Sequence, residues 1–336
     1  MVSYQPMRGQ CSSPKSSRIA VSLRNTGLGD RIICLCAAWL FARNTGRDLI
    51  VDWRRSIYST DDRNLFDLCF DQSGRLGGVK LLAAGTCLPA PRYPQPWNID
   101  TLARDPWLVS PDAFPECRDG MIEMIRSRVD HPAATVLFNA CIGDGLVAFA
   151  DAHACLSKLR FADRVVETAD SFQAEQLGHT PWIGLHVRQG NGGDIMGHAP
   201  SWADPAAAIE RCRHAVTFAR GILGKGVKVF LCTDSIQVET AIRTVVPNVV
   251  TMSKQFAEIG VGELHLGGRG TTGPDAALTE MLLLSRSLTL IRYPAGSFFS
   301  FYPAIVKSSS IAPVTAIKDL QRGYQPQDAL SPAILL

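Results

Sequence analysis

With 336 residues the chain exceeds what one ordinary hydrophobic core serves, so two domains of about 150 residues each are expected. Hydrophobic residues at 46% and charged residues at 19% describe an ordinary soluble globular protein rather than a disordered or fibrous one. Lys and Arg outnumber Asp and Glu by 34 to 31, a net charge of +3, and no dense basic run offers a groove for a phosphate backbone, so no nucleic-acid partner is expected.

None of the ten cysteines forms a CxxC pair, and no His-x3-5-His partner accompanies them. A structural zinc site is therefore not indicated. A chain this size needs no disulfides, so reduced thiols in a cytoplasmic setting are expected, at most peripheral to an inner membrane. No segment approaches the ~20 apolar residues of a membrane span. Residues 1–17 are basic and small polar without a following apolar core, and read as a flexible leader.

Ile19 to Leu23 is a short apolar strand, followed by Arg24-Asn25-Thr26-Gly27-Leu28-Gly29-Asp30, a helix-like run from Ile32 to Ala42, a stop at Asn44-Thr45-Gly46, and a second strand from Asp48 to Trp53. Strand, glycine turn, helix and strand make a βαβ unit. The unit lacks the third glycine of a dinucleotide fingerprint, and no Walker lysine follows Gly29. The helix start after Gly29 could still receive a polar or anionic group. From Arg54 to about Asn98 the sequence is irregular, with prolines at 89, 91, 94 and 96. Tyr93, Trp97 and Trp107 in this region could stack on a sugar ring or anchor a core. Helices are predicted over 118–129 and 152–172, with a strand at 134–138 between them. Gln173 to Thr180, polar and ending before Pro181, marks the domain boundary.

The second half alternates more cleanly. A strand at 182–187 runs into Arg188 and the loop Gln189-Gly190-Asn191-Gly192-Gly193-Asp194. Asp204-Pro205 starts a helix to about Gly221, and Val227 to Cys232 is a buried strand. Thr233-Asp234-Ser235 caps a helix to about Val246, and 249–251 is a short strand. Residues 257–273 carry six glycines and are expected to be mobile in the unliganded protein. A helix over 274–286, a strand over 288–291 and a helical stretch over 296–305 follow, and the last dozen residues read as a loose tail. This alternation predicts a doubly wound parallel sheet. The expected division is a leader (1–17), a first α/β domain (18–177), a second, Rossmann-like domain (178–320) and a tail (321–336).

Three strands of this half end in polar loops, at His186-Val187-Arg188, at Cys232-Thr233-Asp234-Ser235 and at Arg292-Tyr293-Pro294-Ala295-Gly296-Ser297. In a parallel sheet such ends share one edge and can converge on one ligand. They offer an arginine for a diphosphate, and a carboxylate and hydroxyls for a base or ribose. Taken singly, Asp234, Ser235 and Ser297 equally suit helix caps, and His186 equally suits a core.

The stretch IGLHVRQGNGGDIMGHAPSWAD, with VKVFLCTDS, LTLIRYPAGSFF and the amino-terminal RNTGLGDRIICLCAAWLFARNTGRDLIVDWR, resembles the nodulation fucosyltransferase (NodZ) family, related to eukaryotic α1,6- and protein O-fucosyltransferases. The resemblance implies an α/β protein of two Rossmann-like domains, a GT-B type glycosyltransferase. It implies transfer of L-fucose from GDP-β-L-fucose, with inversion, to the 6-hydroxyl of the reducing-end N-acetylglucosamine of a chitin oligosaccharide or lipochitooligosaccharide. No cofactor or divalent metal is implied, and the sequence has no Asp-x-Asp pair of the kind that clamps a metal-bound diphosphate.

By position, the resemblance gives Arg188 the departing β-phosphate, His186, Gly190, Asn191 and Ser235 the nucleotide, Asp234 the guanine, and Ser297 with Phe298 the diphosphate. Arg24, Asn25, Gly27, Asp30 and Trp53 fall on the acceptor side. An inverting reaction wants one carboxylate near the acceptor hydroxyl. Asp194 is the candidate base, although a helix-capping role suits it as well, and the lysine of the eukaryotic relatives has no counterpart. A fucosyltransferase of the same fold with another acceptor, or a non-catalytic nucleotide-sugar or glycan-binding module, would share these features.

Overall fold

A computed structural model describes residues 18–23, 27–54, 63–94, 115–139, 147–189, 204–254, 256, 274–294, 297–307, 314–316 and 334–335. Two six-stranded sheets organise them, the first within residues 19–138 and the second within 183–335.

In the first sheet β1 (Ile19–Ser22), β2 (Asp48–Val51) and β6 (Thr135–Phe138) are short apolar runs buried on both faces, and they pair in parallel. Helix α1 (Leu28–Thr45) buries every residue from Arg31 to Ala42. A helix apolar all round has no face to show solvent, so it must be walled in on every side. The sheet supplies one wall, and α4 (Phe149–Leu156) and α9 (Phe301–Lys307) supply the other. At the amino ends of β1 and β6, the buried guanidinium of Arg47 donates to the carbonyls of Ile19, His131, Ala133 and Ala134 at 2.6–3.3 Å and to Asp130 at 2.7 Å.

The region read as irregular contains more order than its composition suggests. Helix α2 (Leu65–Cys69) is followed by an antiparallel pair, β3 (Arg75–Leu76) and β4 (Val79–Leu82), and β4 joins β2. The turn between them is Gly77-Gly78, both at positive φ (51° and 88°), the backbone of a two-residue hairpin that glycine adopts at no steric cost. Within the proline-rich patch, β5 (Arg92–Tyr93) lies on the sheet's edge beside β6, where a missing proline N–H costs no ladder bond.

Helix α3 (Pro115–Ser127) matches the expected one closely, but the helix expected over 152–172 is two. Between α4 and α5 (Asp163–Phe172), Phe161 forms a backbone bridge with Phe70 and packs its ring at 5.3 Å, which draws the chain out of helical geometry. A π-helical turn at Gln173–Leu177 extends α5 to Gly178.

The second sheet runs β12 (Ile334–Leu335), β11 (Val314–Ala316), β10 (Thr289–Tyr293), β7 (Ile183–Val187), β8 (Val229–Thr233), β9 (Val249–Val250), all parallel. Neither β11 nor β12 was expected. The pairing of Ile334–Leu335 with β11 places part of the supposed loose tail in the sheet. Strand alternation divides the faces. Leu185, Val187, Leu231, Ile291 and Tyr293 pack under α6 (Pro205–Leu223) and α7 (Ile236–Val245). Phe230, Cys232 and Leu290 face Leu283 and Leu284 of α8 (Pro274–Arg286) and Ala304 of α9.

Helix α8, the 3-10 turn Phe298–Ser300 and α9 lie among the second sheet's strands in the chain yet also close the first sheet's core. Leu278, Met281, Tyr302 and Ile305 belong to the same buried cluster as α1 and β1. Tyr302 meets Phe161 edge-on at 5.2 Å, and Arg164 grips Asp275 through two 2.7 Å bonds. Each large apolar side chain so buried is worth about 1.5–3 kcal/mol, so this crossing binds the halves together.

Candidate functional site at the facing sheet edges

The three polar strand ends converge as the parallel register requires. His186 lies opposite Arg292 on one side and Cys232 on the other, and Val187 lies opposite Tyr293 and Thr233. The next backbone step fixes Arg188, whose N–H donates to the Tyr293 carbonyl at 2.8 Å. Its guanidinium Nε stands 4.0 Å from Oδ2 of Asp234, with the side chain about one-third exposed. Asp234 Oδ1 accepts from the Gln189 N–H at 3.0 Å, and Ser235 Oγ donates to the Gln189 side chain at 2.7 Å while capping α7 through the Val238 N–H at 3.4 Å. Asp234 and Ser235 thus brace the segment that carries Arg188. Sequence reasoning assigned them to a ligand, whereas here both engage the β7 loop.

His186 is 96% buried, with Phe299 tilted over its ring at 5.2 Å, and its Nδ1 has no hydrogen-bond partner. Burial, followed by the positive charges of Arg292, Arg188 and Lys254, holds the imidazole well below its ordinary pKa, so it is neutral. Arg292 donates through Nε to Ser300 Oγ at 2.8 Å and through Nη2 to the Ser297 carbonyl at 3.1 Å, and Ser300 Oγ closes the turn on the same carbonyl at 3.2 Å. Ser297 is buried too, and its Oγ has no partner among the described residues. It precedes the 3-10 turn without capping it. Buried side-chain atoms without a partner also occur elsewhere among the described residues, at Ser22, Trp53 and Trp182, and what distinguishes His186 Nδ1 and Ser297 Oγ is their place at the carboxyl ends of neighbouring strands, where a polar ligand would complete the bonding.

Sequence reasoning missed a second layer. Lys254, just beyond β9, and Glu280 on α8 form a buried ion pair, and the Cys232 thiol donates to the other Glu280 oxygen at 3.2 Å. Burial alone would lower the Lys254 pKa, but the Glu280 carboxylate outweighs it and raises the ammonium above its ordinary value. Burial, with Glu280 next, raises the Cys232 thiol, which stays protonated. The available signal was a charged residue inside an apolar helical run, LTEMLLL. Arg292 and Phe299 were likewise quoted within their block without a role.

On the opposing side, Gly27 is the uncapped N-cap of α1 and Asp30 lies half-buried in its first turn. Gly29 lies against the backbone of Phe298 and Phe299, so the start of α1 meets the end of β10 directly. Trp53 requires a correction. It is fully buried, edge-on to Phe66 at 5.4 Å and Phe70 at 6.3 Å, with Arg31 over its ring at 5.6 Å, and presents no face to a sugar. The mostly apolar run from Asp48 continued into the core rather than ending at the site. Arg24, Asn25, Gly190, Asn191, Asp194, Trp97, Trp107 and the loop 257–273 lie outside the described residues. Among the described residues no cluster of three or more His, Cys, Asp or Glu could hold a metal ion, and no helix is long and apolar enough to cross a membrane.

Two Rossmann-like sheets whose carboxyl ends face each other, with the start of α1 against the turn that follows β10 and an arginine at the end of β7, define the GT-B architecture of glycosyltransferases. The sequence pattern of the family described as Nodulation protein Z (NodZ) matches residues 16–317. Nodulation protein Z of Bradyrhizobium diazoefficiens is 36% identical over 306 residues, 88% of this chain and 80% of that protein. Its counterpart from Azorhizobium caulinodans is 35% identical over 311 residues, 88% and 91%. The chain belongs to the NodZ family. A solved NodZ α-1,6-fucosyltransferase co-crystallised with GDP superposes with a TM-score of 0.71 at 28% identity, over 90% of this chain and 95% of that one. The POFUT1 structure in complex with GDP-fucose shares the fold at 12% identity, TM-score 0.54, over 90% of this chain and 99% of that one.

Proposed function

We propose that this protein transfers L-fucose from GDP-β-L-fucose, with inversion, to the 6-hydroxyl of the reducing-end N-acetylglucosamine of a chitin oligosaccharide or lipochitooligosaccharide. The observation that carries the reading is Arg188, held at the carboxyl end of the central strand by its own N–H and flanked by Asp234, on the strand that carries His186 and beside β10, which leads to Ser297. A NodZ structure soaked with GDP-fucose, TM-score 0.71 at 28% identity, supports the donor.

In this reading the acceptor O6 forms a bond to fucose C1 as the bond from C1 to the β-phosphate oxygen breaks. Negative charge grows on the leaving diphosphate, where the Arg188 guanidinium and the Ser297 hydroxyl receive it. No divalent metal is required, because the arginine supplies the positive charge. His186, neutral, offers Nδ1 as an acceptor or, in the other tautomer, a donor for the nucleotide. The O6 proton passes to a carboxylate, for which Asp194, six residues after Arg188 in the sequence, is the candidate. The site lies in two domains, residues 18–177 on the acceptor side and 178–320 on the donor side.

Incubation with labelled GDP-fucose and chitotetraose, followed by mass spectrometry of the product, tests this directly. A single fucose on the reducing-end residue is the expected product. Binding of GDP-fucose without transfer to any glycan would leave a binding module instead, and transfer only to another glycan would replace the acceptor.

A further inference from the structure

We propose that Gly29 is a positioning residue for the donor: its missing side chain lets α1 seat the Phe298–Ser300 turn, which holds Phe299 over His186 and Ser297 at the end of β10. This rests on the donor reading above. A Cβ placed on Gly29 would stand 2.5 Å from the Phe298 carbonyl oxygen, 2.6 Å from the Phe299 nitrogen and closer still to the Phe298 carbonyl carbon. These are backbone atoms, so no rotamer change relieves the overlap. Ordinary contact demands a retreat of about 1 Å.

The turn is the part that yields. Helix α1 is buried along nearly its whole length and cannot back away without opening the first core. The turn is three residues long, tied to the end of β10 by Arg292 to Ser300 Oγ and to the Ser297 carbonyl and by the Ser297 N–H to the Pro294 carbonyl, and it runs directly into α9, so it shifts by pivoting on that helix. Its displacement moves Phe299 off the His186 ring, 5.2 Å away, and shifts the Ser297 hydroxyl from the edge it shares with Arg188. A misplacement of about 1 Å in a binding constellation costs on the order of a hundredfold in rate. Gly29 is the second residue of α1, where a side chain of any size would meet the same backbone atoms.

Gly221 in α6 provides the matched control, because a Cβ there would meet nothing within 4 Å. Gly221→Ala is expected to raise Tm by about 2 °C without altering kinetics. Gly29→Ala, made in that background, is expected to raise the KM for GDP-fucose at least tenfold, with acceptor KM within twofold and the circular dichroism spectrum unchanged. Combined with Phe299→Leu, the two effects on donor KM should be less than additive, because both act through one turn. Backbone amide exchange across residues 297–307 should quicken in Gly29→Ala. A folded Gly29→Ala protein with donor KM within twofold of its parent overturns the inference, as do strict additivity with Phe299→Leu or failure of Gly29→Ala to fold even in the stabilised background. If the parent protein neither binds GDP nor transfers fucose, the donor reading fails by itself, and the exchange measurement alone decides for or against Gly29.

Discussion

Replacing Arg188 with alanine is the sharpest perturbation of the proposed chemistry. The side chain is about one-third exposed and faces Asp234 at 4.0 Å, and solvent screening leaves a pair of that kind worth little. Its removal is therefore expected to cost folding stability about 1 kcal/mol or less, a Tm change of a few degrees. The cost to catalysis is of a different size. A donor aimed at charge that develops in the transition state is worth about 2.7–4 kcal/mol, so kcat should fall by roughly a hundredfold to a thousandfold. Arg188→Lys keeps the charge and loses the planar fork, and should fall between the parent and the alanine variant. Product formation from labelled GDP-fucose and chitotetraose, with GDP affinity by calorimetry on the same preparations, separates the two costs. A folded Arg188→Ala protein that keeps kcat within threefold of the parent would refute the assignment. A thousandfold loss accompanied by collapse of Tm would show that the arginine holds the β7 loop rather than the phosphate.

The buried Lys254–Glu280 pair should behave oppositely: Lys254→Met strands a buried carboxylate and is expected to cost about 3–5 kcal/mol, largely recovered by adding Glu280→Leu, as read from urea midpoints. His186 gives a pH signature. Its folded pKa lies well below the unfolded value, so the unfolded chain takes up the proton first and stability is lost as pH falls below about 6.5. Between pH 6.5 and 5.5 the parent should lose on the order of 1 kcal/mol more than His186→Gln, and equal losses in both would rule out a neutral buried imidazole. Trp53→Phe should cost stability by about 1–3 kcal/mol, as a core truncation does, and leave the acceptor KM unchanged; a raised acceptor KM at unchanged Tm would return Trp53 to the sugar site.

The second sheet was readable because its central strands are continuous apolar runs ending in polar residues, and parallel pairing then aligns those ends without further information. Asp204 and Ser235 cap their helices as their position before Pro205 and Ile236 suggests. The hairpin at Gly77-Gly78 carried a readable turn signal that the surrounding proline and turn residues obscured. The break between α4 and α5 did not, because Phe161 leaves the helix for a partner, Phe70, some ninety positions away. The same distance effect hid most of the site's support. Arg292, Phe299, Glu280 and Lys254 act through contacts between separate elements, and a linear pattern shows only that some of them are charged residues in apolar company. Trp53 was misplaced for the complementary reason: a tryptophan after a strand reads alike whether its ring turns to the cleft or to Phe66.

The crossing of α8 and α9 onto the first core bears on how members of this family can be recombined. A hybrid that joined residues 18–177 of one relative to the rest of another would seal its amino-terminal core with foreign side chains at positions 278, 281, 302 and 305. Acceptor preference could then not be transplanted by exchanging one contiguous half. Carrying residues 274–286 and 298–307 along with the amino-terminal half would keep that core native but would set foreign residues at 283, 284 and 304 against Phe230, Cys232 and Leu290 of the second sheet. Because α8 and α9 serve both cores, no division of the chain leaves both of them with native partners.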